Sequence, residues 1–142
     1  GSDRFVHRVR ETWTVTSPNH AADYLYKHIF ADPYLPAQEE LWALLLNTKY
    51  RITHHTLLYR GLVDAIPIRV AEVYRNAVRL GAPRLIVSLC HPSGDPTPSP
   101  EDVMATEEMR RGGELLGIDL MDHIVIGDKD WVSMRERKMG FK

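Results

Sequence analysis

The stretch LIVSLCHPSGDPTPSPED, residues 85–102, decides how the chain folds. It begins with five apolar or small residues, and a short run of this kind bounded by turn residues predicts a strand buried on both faces. Residues 92–100 contain four prolines and a glycine, which predicts a loop. Ser99-Pro100-Glu101-Asp102 then has the form of a helix start, with a serine N-cap, a proline at the first helical position and a carboxylate at the third. We therefore expect a strand, a stiffened loop and a helix in succession.

The flanking sequence predicts further helices and strands around this unit. Apolar residues at helical spacing predict helices over residues 19–31, 70–80 and 100–116. Short apolar or β-branched runs predict strands over residues 41–46, 51–59, 85–89, 120–126 and 131–133. The polar residues 47–49 predict a hairpin between the first two strands. The pattern indicates one α/β domain, with a mixed sheet flanked by helices.

Composition narrows the class of protein. The chain has 142 residues, of which 44% are hydrophobic and 26% charged, and its formal net charge is −1. This balance gives no support for DNA association, which rests on neutralising phosphates, and four arginines are interpreted as a solvated helix face: Arg69, Arg75, Arg79 and Arg84. The single cysteine, Cys90, excludes an intramolecular disulfide and indicates a reducing compartment such as the cytoplasm. No apolar run of about 18 residues is present, so we expect no membrane span.

The start of the chain is interpreted separately from the domain. Gly1-Ser2 has the form of a cloning remnant. Residues 1–16 are therefore assigned to a tag remnant and N-terminal extension, and residues 17–142 to the domain itself. No residue pattern predicts the oligomeric state.

The chemistry is concentrated where the strand of residues 85–89 ends. His91 leaves that strand into the loop, and the loop leads to Asp102 in the first turn of a helix. Open α/β sheets build their sites at the carboxyl ends of strands. Neutral imidazole and carboxylate are zinc ligands, and catalytic zinc takes three protein ligands and one water. The segment therefore predicts a site in which His91 and Asp102 lie together.

These residues resemble the metal-dependent hydrolase domain of the RadC branch of the JAMM (MPN) family. The RadC signature reads approximately His-Asn-His-Pro-Ser-Gly-Asp-Pro-x-Pro-Ser-x-x-Asp, and residues 89–102 read LCHPSGDPTPSPED. Further agreement lies at Leu46-Asn47-Thr48-Lys49, Gly61, Leu115-Leu116-Gly117-Ile118, Asp122-His123-Ile124-Val125-Ile126-Gly127 and Ser133. The resemblance covers roughly residues 17–133. It implies the JAMM/MPN fold, a cytidine-deaminase-like mixed sheet flanked by helices.

The resemblance also implies a ligand set and a reaction. His91 and Asp102 match the second and third metal ligands, and Ser99 matches the serine that stabilises the developing oxyanion. Glu39 matches the glutamate that accepts a proton from the metal-bound water, with its neighbour Glu40 as the alternative register. The implied cofactor is Zn²⁺ and the implied reaction is metal-assisted cleavage of a peptide or isopeptide bond.

Leu89 departs from the family signature, because the first metal-ligand histidine belongs at its position. Residues 89 and 91 of an extended strand point to the same face, whereas Cys90 points to the other. A leucine has no lone pair to offer, so we expect zinc binding to be weakened or lost. Whether the leucine is natural or engineered stays open, and His123 is the best candidate for a replacement ligand.

Each of these residues also has a plainer interpretation. Ser99 and Asp102 are common helix-capping residues, His91 is a common turn residue and Glu39 a common solvated strand start. The adjacent His54 and His55 would face opposite sides of a strand, and both are interpreted as surface residues. The same interpretation makes Trp42 and Trp131 core aromatics and Cys90 a buried, unreactive thiol.

Three functions therefore remain open. The first is an impaired zinc metallopeptidase-type hydrolase with a peptide or protein substrate. The second is a non-catalytic module that binds a peptide or protein, and the third is an accessory domain associated with DNA repair. The sequence further predicts that Glu39, His91, Ser99 and Asp102 converge in one cleft with Leu89 on its wall.

Overall fold

The computed structural model describes residues 6–31, 35–61 and 68–142. The interpretation of Gly1-Ser2 as a cloning remnant lies outside these residues. Within them the elements are, in chain order, strand β1 (Val6–Arg8), helix α1 (Pro18–His28), strands β2 (Glu39–Leu46) and β3 (Ile52–Gly61), helix α2 (Val70–Leu80), strand β4 (Arg84–Cys90), helix α3 (Pro100–Leu116), and strands β5 (Asp119–Ile126) and β6 (Trp131–Ser133).

The strands form one mixed sheet in the order β1-β3-β2-β4-β5-β6. Strands β2 and β3 form the predicted antiparallel hairpin, and β4 lies antiparallel to β2 on its other side. Only β4 and β5 are parallel, and α3 connects them. The loop after β4 therefore opens at the carboxyl end of a parallel strand pair, as the sequence predicted. Strand β1 was not predicted, because three residues paired at a sheet edge carry no readable apolar alternation.

Each face of the sheet packs against its own helices. On the first face, which we call the α1 face, Leu44, Ile86 and Ile124 pack against Tyr24 and Leu25 of α1. On the other face, which we call the α3 face, the core includes Leu45, Leu85, Val87, Leu89, Tyr74 of α2 and Met109 of α3. The central strands β2 and β4 are buried on both faces, which explains their nearly continuous apolar sequences. The predicted layering of an α/β domain is confirmed.

Glycine and serine residues mark the ends of the helices. Gly81 and Gly117 end α2 and α3 in the left-handed conformation, with φ of 70° and 72°, as C-terminal glycines commonly do. Ser99 caps α3 through its side chain, whereas Ser17 at the start of α1 makes no side-chain cap. The Ser17 hydroxyl donates to the side-chain oxygen of Asn19 instead.

Across the described ranges, the structure contains no helix that is both long and apolar enough to traverse a membrane.

Candidate functional site

His91 is fixed where β4 runs into the loop. Its backbone N–H donates to the carbonyl oxygen of Ile126 at 2.9 Å, which continues the pairing of β4 with β5 by one residue. Its ring Nδ1 lies 2.9 Å from the carbonyl oxygen of Asp95. A carbonyl oxygen only accepts hydrogen bonds, so Nδ1 carries a proton and donates it. The other ring nitrogen, Nε2, is thereby turned towards α3.

The loop is held by a close approach to the turn between β5 and β6. The carbonyl oxygen of Gly94 accepts a hydrogen bond from the backbone N–H of Asp128 at 2.8 Å. A Cβ atom at Gly127 would lie 2.3 Å from that same carbonyl oxygen, so only glycine fits there. The backbone of the loop is therefore positioned by main-chain contacts on both sides of His91.

Asp102 is positioned by the first turn of α3. Its Oδ2 accepts the backbone N–H of Ser99 at 2.8 Å, and its own N–H donates to Ser99 Oγ at 3.1 Å. This reciprocal arrangement is a capping box, and the predicted N-cap serine with a carboxylate at N3 is confirmed. The same Oδ2 lies 3.1 Å from His91 Nε2. One carboxylate oxygen therefore serves both the helix start and the histidine.

The paired side chains shift each other's pKa in opposite directions. The hydrogen bond to Asp102 raises the pKa of His91 above its ordinary value, although burial acts the other way. Burial raises the pKa of Asp102, but the hydrogen bonds from His91 and the Ser99 amide outweigh it and leave this pKa below its ordinary value. The two side chains are only 13% and 7% exposed, and they form an ion pair when His91 is protonated. Each group stabilises the charged form of the other.

Leu89 lies on the α3 face, two residues before His91. It is 2% exposed and belongs to the apolar core of that face. Its backbone pairs with Leu41 of β2, and the same antiparallel register continued by two residues sets Glu39 opposite His91. The charge of Glu39 contributes to raising the pKa of His91, in accord with this placement. We refer to Glu39, Leu89, His91, Ser99 and Asp102 as the β4–α3 site.

The two adjacent glutamates of β2 have different surroundings. Glu40 is 7% exposed; it accepts the indole N–H of Trp42 at 3.0 Å and pairs with Arg60 at 2.9 Å. Strand alternation places Glu40 on the α1 face and Glu39 on the α3 face. Of the two registers that the sequence left open, the geometry favours Glu39 as the residue next to His91.

His123 and Thr106 extend the polar contacts beneath the site. Thr106 Oγ1 lies 2.7 Å from the carbonyl oxygen of Asp102 and 2.7 Å from His123 Nδ1. Burial lowers the pKa of His123 to about 4, so its ring is neutral at neutral pH. Its Nε2 is buried and has no hydrogen-bond partner among the residues that the structure describes. Thr106 was missed from the sequence, although its position one turn after Asp102 on the same helix is the signal that could have found it.

A zinc ion fits the β4–α3 site only in part. Zinc–ligand bonds of about 2.0–2.2 Å at tetrahedral angles place two ligand atoms about 3.3–3.5 Å apart. The 3.1 Å between His91 Nε2 and Asp102 Oδ2 is close to that spacing, and Nδ1 already donates to a carbonyl, as in many metal-bound histidines. A third ligand is missing: no group of three His, Cys, Asp or Glu side chains in the described ranges could hold a metal. The residues present therefore do not make a complete catalytic zinc site.

The remaining interpretations are settled by burial. Cys90 is fully buried on the α1 face, opposite to Leu89, as expected. The interpretation of His54 and His55 as surface residues was wrong: both are partly buried, and His55 Nδ1 lies 2.6 Å from the Tyr24 hydroxyl. Sequence spacing cannot show this contact, because 31 residues separate the two side chains. Trp42 and Trp131 are only partly buried and pack against the edge of the α1-face core.

Comparison with known proteins agrees with this architecture. The family described as RadC-like JAB domain matches residues 15–139. A UPF0758 protein of Roseiflexus castenholzii is 48% identical over 104 residues, which cover 73% of this chain and 45% of that protein. A UPF0758 protein of Bacillus licheniformis is 34% identical over 136 residues, which cover 94% of this chain and 59% of that protein. The chain spans about half the length of these relatives. By sequence and by its α/β fold, the chain belongs to the RadC family and forms a RadC-like JAB domain.

Proposed function

We propose that this is a hydrolase domain of the zinc metallopeptidase or isopeptidase type, in which Leu89 has impaired the metal site. The observation that carries the proposal is the pairing of His91 Nε2 with Asp102 Oδ2 at 3.1 Å, at the carboxyl end of a parallel strand pair. Glu39 across from His91 would be the proton acceptor. Ser99 would act on the developing oxyanion in addition to its observed role as the N-cap of α3.

A second function is favoured by Leu89 itself. This side chain is packed into the apolar core of the α3 face, so the wall of the site at that point is apolar and offers no lone pair. A site that lacks this ligand suits a divalent ion poorly, and the partly exposed Glu39 and His91 remain for polar contacts with a peptide or protein. Under this second proposal the domain binds a peptide or protein without cleaving it.

Replacing Leu89 with histidine tests whether the alignment of the site is right. We expect Leu89→His to bind Zn²⁺ at one equivalent per chain in calorimetry, because three protein ligands and one open position are then present. The matched control Leu89→His/His91→Ala should lose that equivalent again. If Leu89→His binds no more Zn²⁺ than the parent chain, Leu89 does not occupy a ligand position.

Peptide and isopeptide substrate pools then separate the two functions. We expect the zinc-loaded Leu89→His protein to cleave a member of these pools, and Glu39→Gln in that background to keep the metal while abolishing cleavage, because an amide does not accept the proton. A Leu89→His protein that binds Zn²⁺ and retains peptides without cleaving them would instead support the binding module.

A further inference from the structure

A pair of side chains of a metal-binding type lies at the β1 edge of the sheet. His7 of β1 and His55 of β3 are directly opposed in the antiparallel register. Their ring centroids are 5.1 Å apart and the ring planes make an angle of 43°. We call these residues the cross-strand histidine pair. They are separate in sequence and in the fold from the β4–α3 site.

The separation of the two rings matches the spacing around a tetrahedral ion. A metal–nitrogen bond of about 2.0–2.1 Å places the ion about 3.2 Å from an imidazole centroid, so two ligating rings at a tetrahedral angle have centroids about 5.2 Å apart. The observed 5.1 Å agrees with that value. The centroid spacing of the two rings is therefore compatible with a shared ion.

The surroundings of His55 prepare its ring for a metal. Its Nδ1 lies 2.6 Å from the hydroxyl of Tyr24, a residue that is only 1% exposed. The hydroxyl oxygen can accept a hydrogen bond from Nδ1–H. In that tautomer Nε2 keeps its lone pair, as in metal sites whose histidine is oriented by a second hydrogen bond. Neutral imidazole is the form that binds metals.

A source of negative charge lies nearby. The Glu11 carboxylate bonds His28 Nε2 at 2.9 Å and lies 3.6 Å from Lys27 Nζ. Its charge also reaches Tyr24, whose pKa burial raises to about 12. The Tyr24 hydroxyl therefore stays protonated at neutral pH and serves the site as a hydrogen-bonding group.

We propose that the cross-strand histidine pair binds a divalent transition-metal ion of the Zn²⁺ class, with water completing its coordination. Imidazole suits Zn²⁺, Cu²⁺ and Ni²⁺, and Zn²⁺ prefers the tetrahedral geometry that the ring spacing matches. The ion would fix the three-residue edge strand β1 to the ten-residue strand β3. With two protein ligands, this site would bind its ion more weakly than a three-ligand zinc centre. The bound ion would stabilise the pairing of β1 with β3 at the edge of the sheet.

Thermal unfolding in the presence of Zn²⁺ alone tests the proposal. We expect Zn²⁺ at about ten times its dissociation constant to raise the unfolding midpoint of the full chain by roughly 5 °C. The shift should disappear in His7→Gln and in His55→Gln. It should persist in His91→Gln, which separates this site from the β4–α3 site, and in His54→Gln, which removes the neighbouring histidine on the opposite face of β3. Because His7 is exposed, His7→Gln should fold like the parent chain, and a retained shift in that variant would overturn the proposal.

A paramagnetic probe locates the ion directly. Co²⁺ takes the same coordination as Zn²⁺, and we expect it to broaden or shift the ring resonances of His7 and His55 first in an NMR titration. Preferential effects on His54 or His91, or equal effects on every histidine, would likewise overturn the proposal.

Discussion

The β4–α3 site and the cross-strand histidine pair each hold a metal-ligating imidazole close to one other ligand group, but they do so with opposite electrostatics. At the β4–α3 site a carboxylate lies against His91, and the pKa of His91 is raised. At the sheet edge the neighbour of His55 is another imidazole, and burial with the nearby His7 and His28 lowers the pKa of His55. The first pair is stable as an ion pair without a metal. The two imidazoles of the second pair do not attract each other as opposite charges do. Their proximity therefore adds electrostatic stabilisation only when an ion joins the two rings.

The difference teaches that ligand spacing alone does not identify a metal site. His91 and Asp102 have near-ideal spacing, but folding already uses both, because Asp102 completes the capping box of α3. His7 and His55 have near-ideal spacing as well. The hydrogen bond between His55 and Tyr24 uses one ring nitrogen of His55 and leaves the other for another partner. The following substitutions sharpen or break this comparison.

Removing the shared carboxylate should have the largest effect. We expect Asp102→Ala to lower the free energy of unfolding by about 2–4 kcal/mol, because a buried ion-pair partner and a helix-capping acceptor are lost together. Urea denaturation measures the change. The neighbouring Glu101→Ala is the matched control and should stay within about 0.5 kcal/mol, since Glu101 is exposed. Equal effects in the two variants would show that the ion pair has no structural role.

Without metal, the two residues of the cross-strand histidine pair should contribute unequally to the free energy of unfolding. We expect His55→Ala to cost about 1–3 kcal/mol, because the buried Tyr24 hydroxyl loses its partner. His7→Ala should cost about 0.5 kcal/mol or less, as for most exposed residues. Denaturation in the presence of a chelator measures both values. Similar losses in the two variants would mean that β1 depends on His7 for its pairing, which the geometry does not predict.

The two glutamates of β2 should also contribute unequally to the free energy of unfolding. Glu40→Gln is expected to cost about 1 kcal/mol, because an amide has one acceptor for the donors of Trp42 and Arg60. Glu39→Gln should leave stability almost unchanged. Urea denaturation followed by tryptophan fluorescence measures both variants. Trp42 contacts Glu40 directly and contributes to this signal together with Trp13 and Trp131. A larger loss from Glu39→Gln would place the wrong glutamate at the site.

The smallest effect concerns Cys90, the neighbour of His91 on the other face. Burial raises the pKa of its thiol to about 11, so only about one molecule in a thousand carries a thiolate at pH 8. We expect a disulfide reagent at pH 8 to leave the native chain unlabelled over minutes and to label it fully in urea. Rapid native labelling would mean that β4 ends before Cys90.

Much of the fold could be predicted because strong local signals agree with the tertiary structure. The strand, loop and helix of residues 85–102 were correct, since two-sided burial, proline restraint and a capping box each act over a few residues. Strand β1 could not be predicted, since its existence depends on pairing with β3 nearly fifty residues away. The burial of His55 against Tyr24 is long-range for the same reason.

The site could be predicted only from strand alternation and from the resemblance to the RadC family. Alternation placed Leu89 and His91 on one face and Cys90 on the other, as observed. It could not choose between Glu39 and Glu40, because the β2–β3 register shifts between Leu41 and Trp42 and the choice rests on pairing with β4. The metal-binding and catalytic roles of His91, Asp102, Ser99 and Glu39 stay predictions.

The shared oxygen of Asp102 has a consequence for how members of this family evolve. A chain that has lost hydrolysis still needs Asp102 to start α3 and still gains from His91 as its counter-ion, so selection for folding alone would retain both residues. Their presence in a relative is therefore weak evidence that the relative is an active enzyme. Leu89 contributes to the apolar core at its own position but supplies no metal ligand. Under the proposed function, this position rather than His91 or Asp102 separates hydrolytic from non-hydrolytic members of the family.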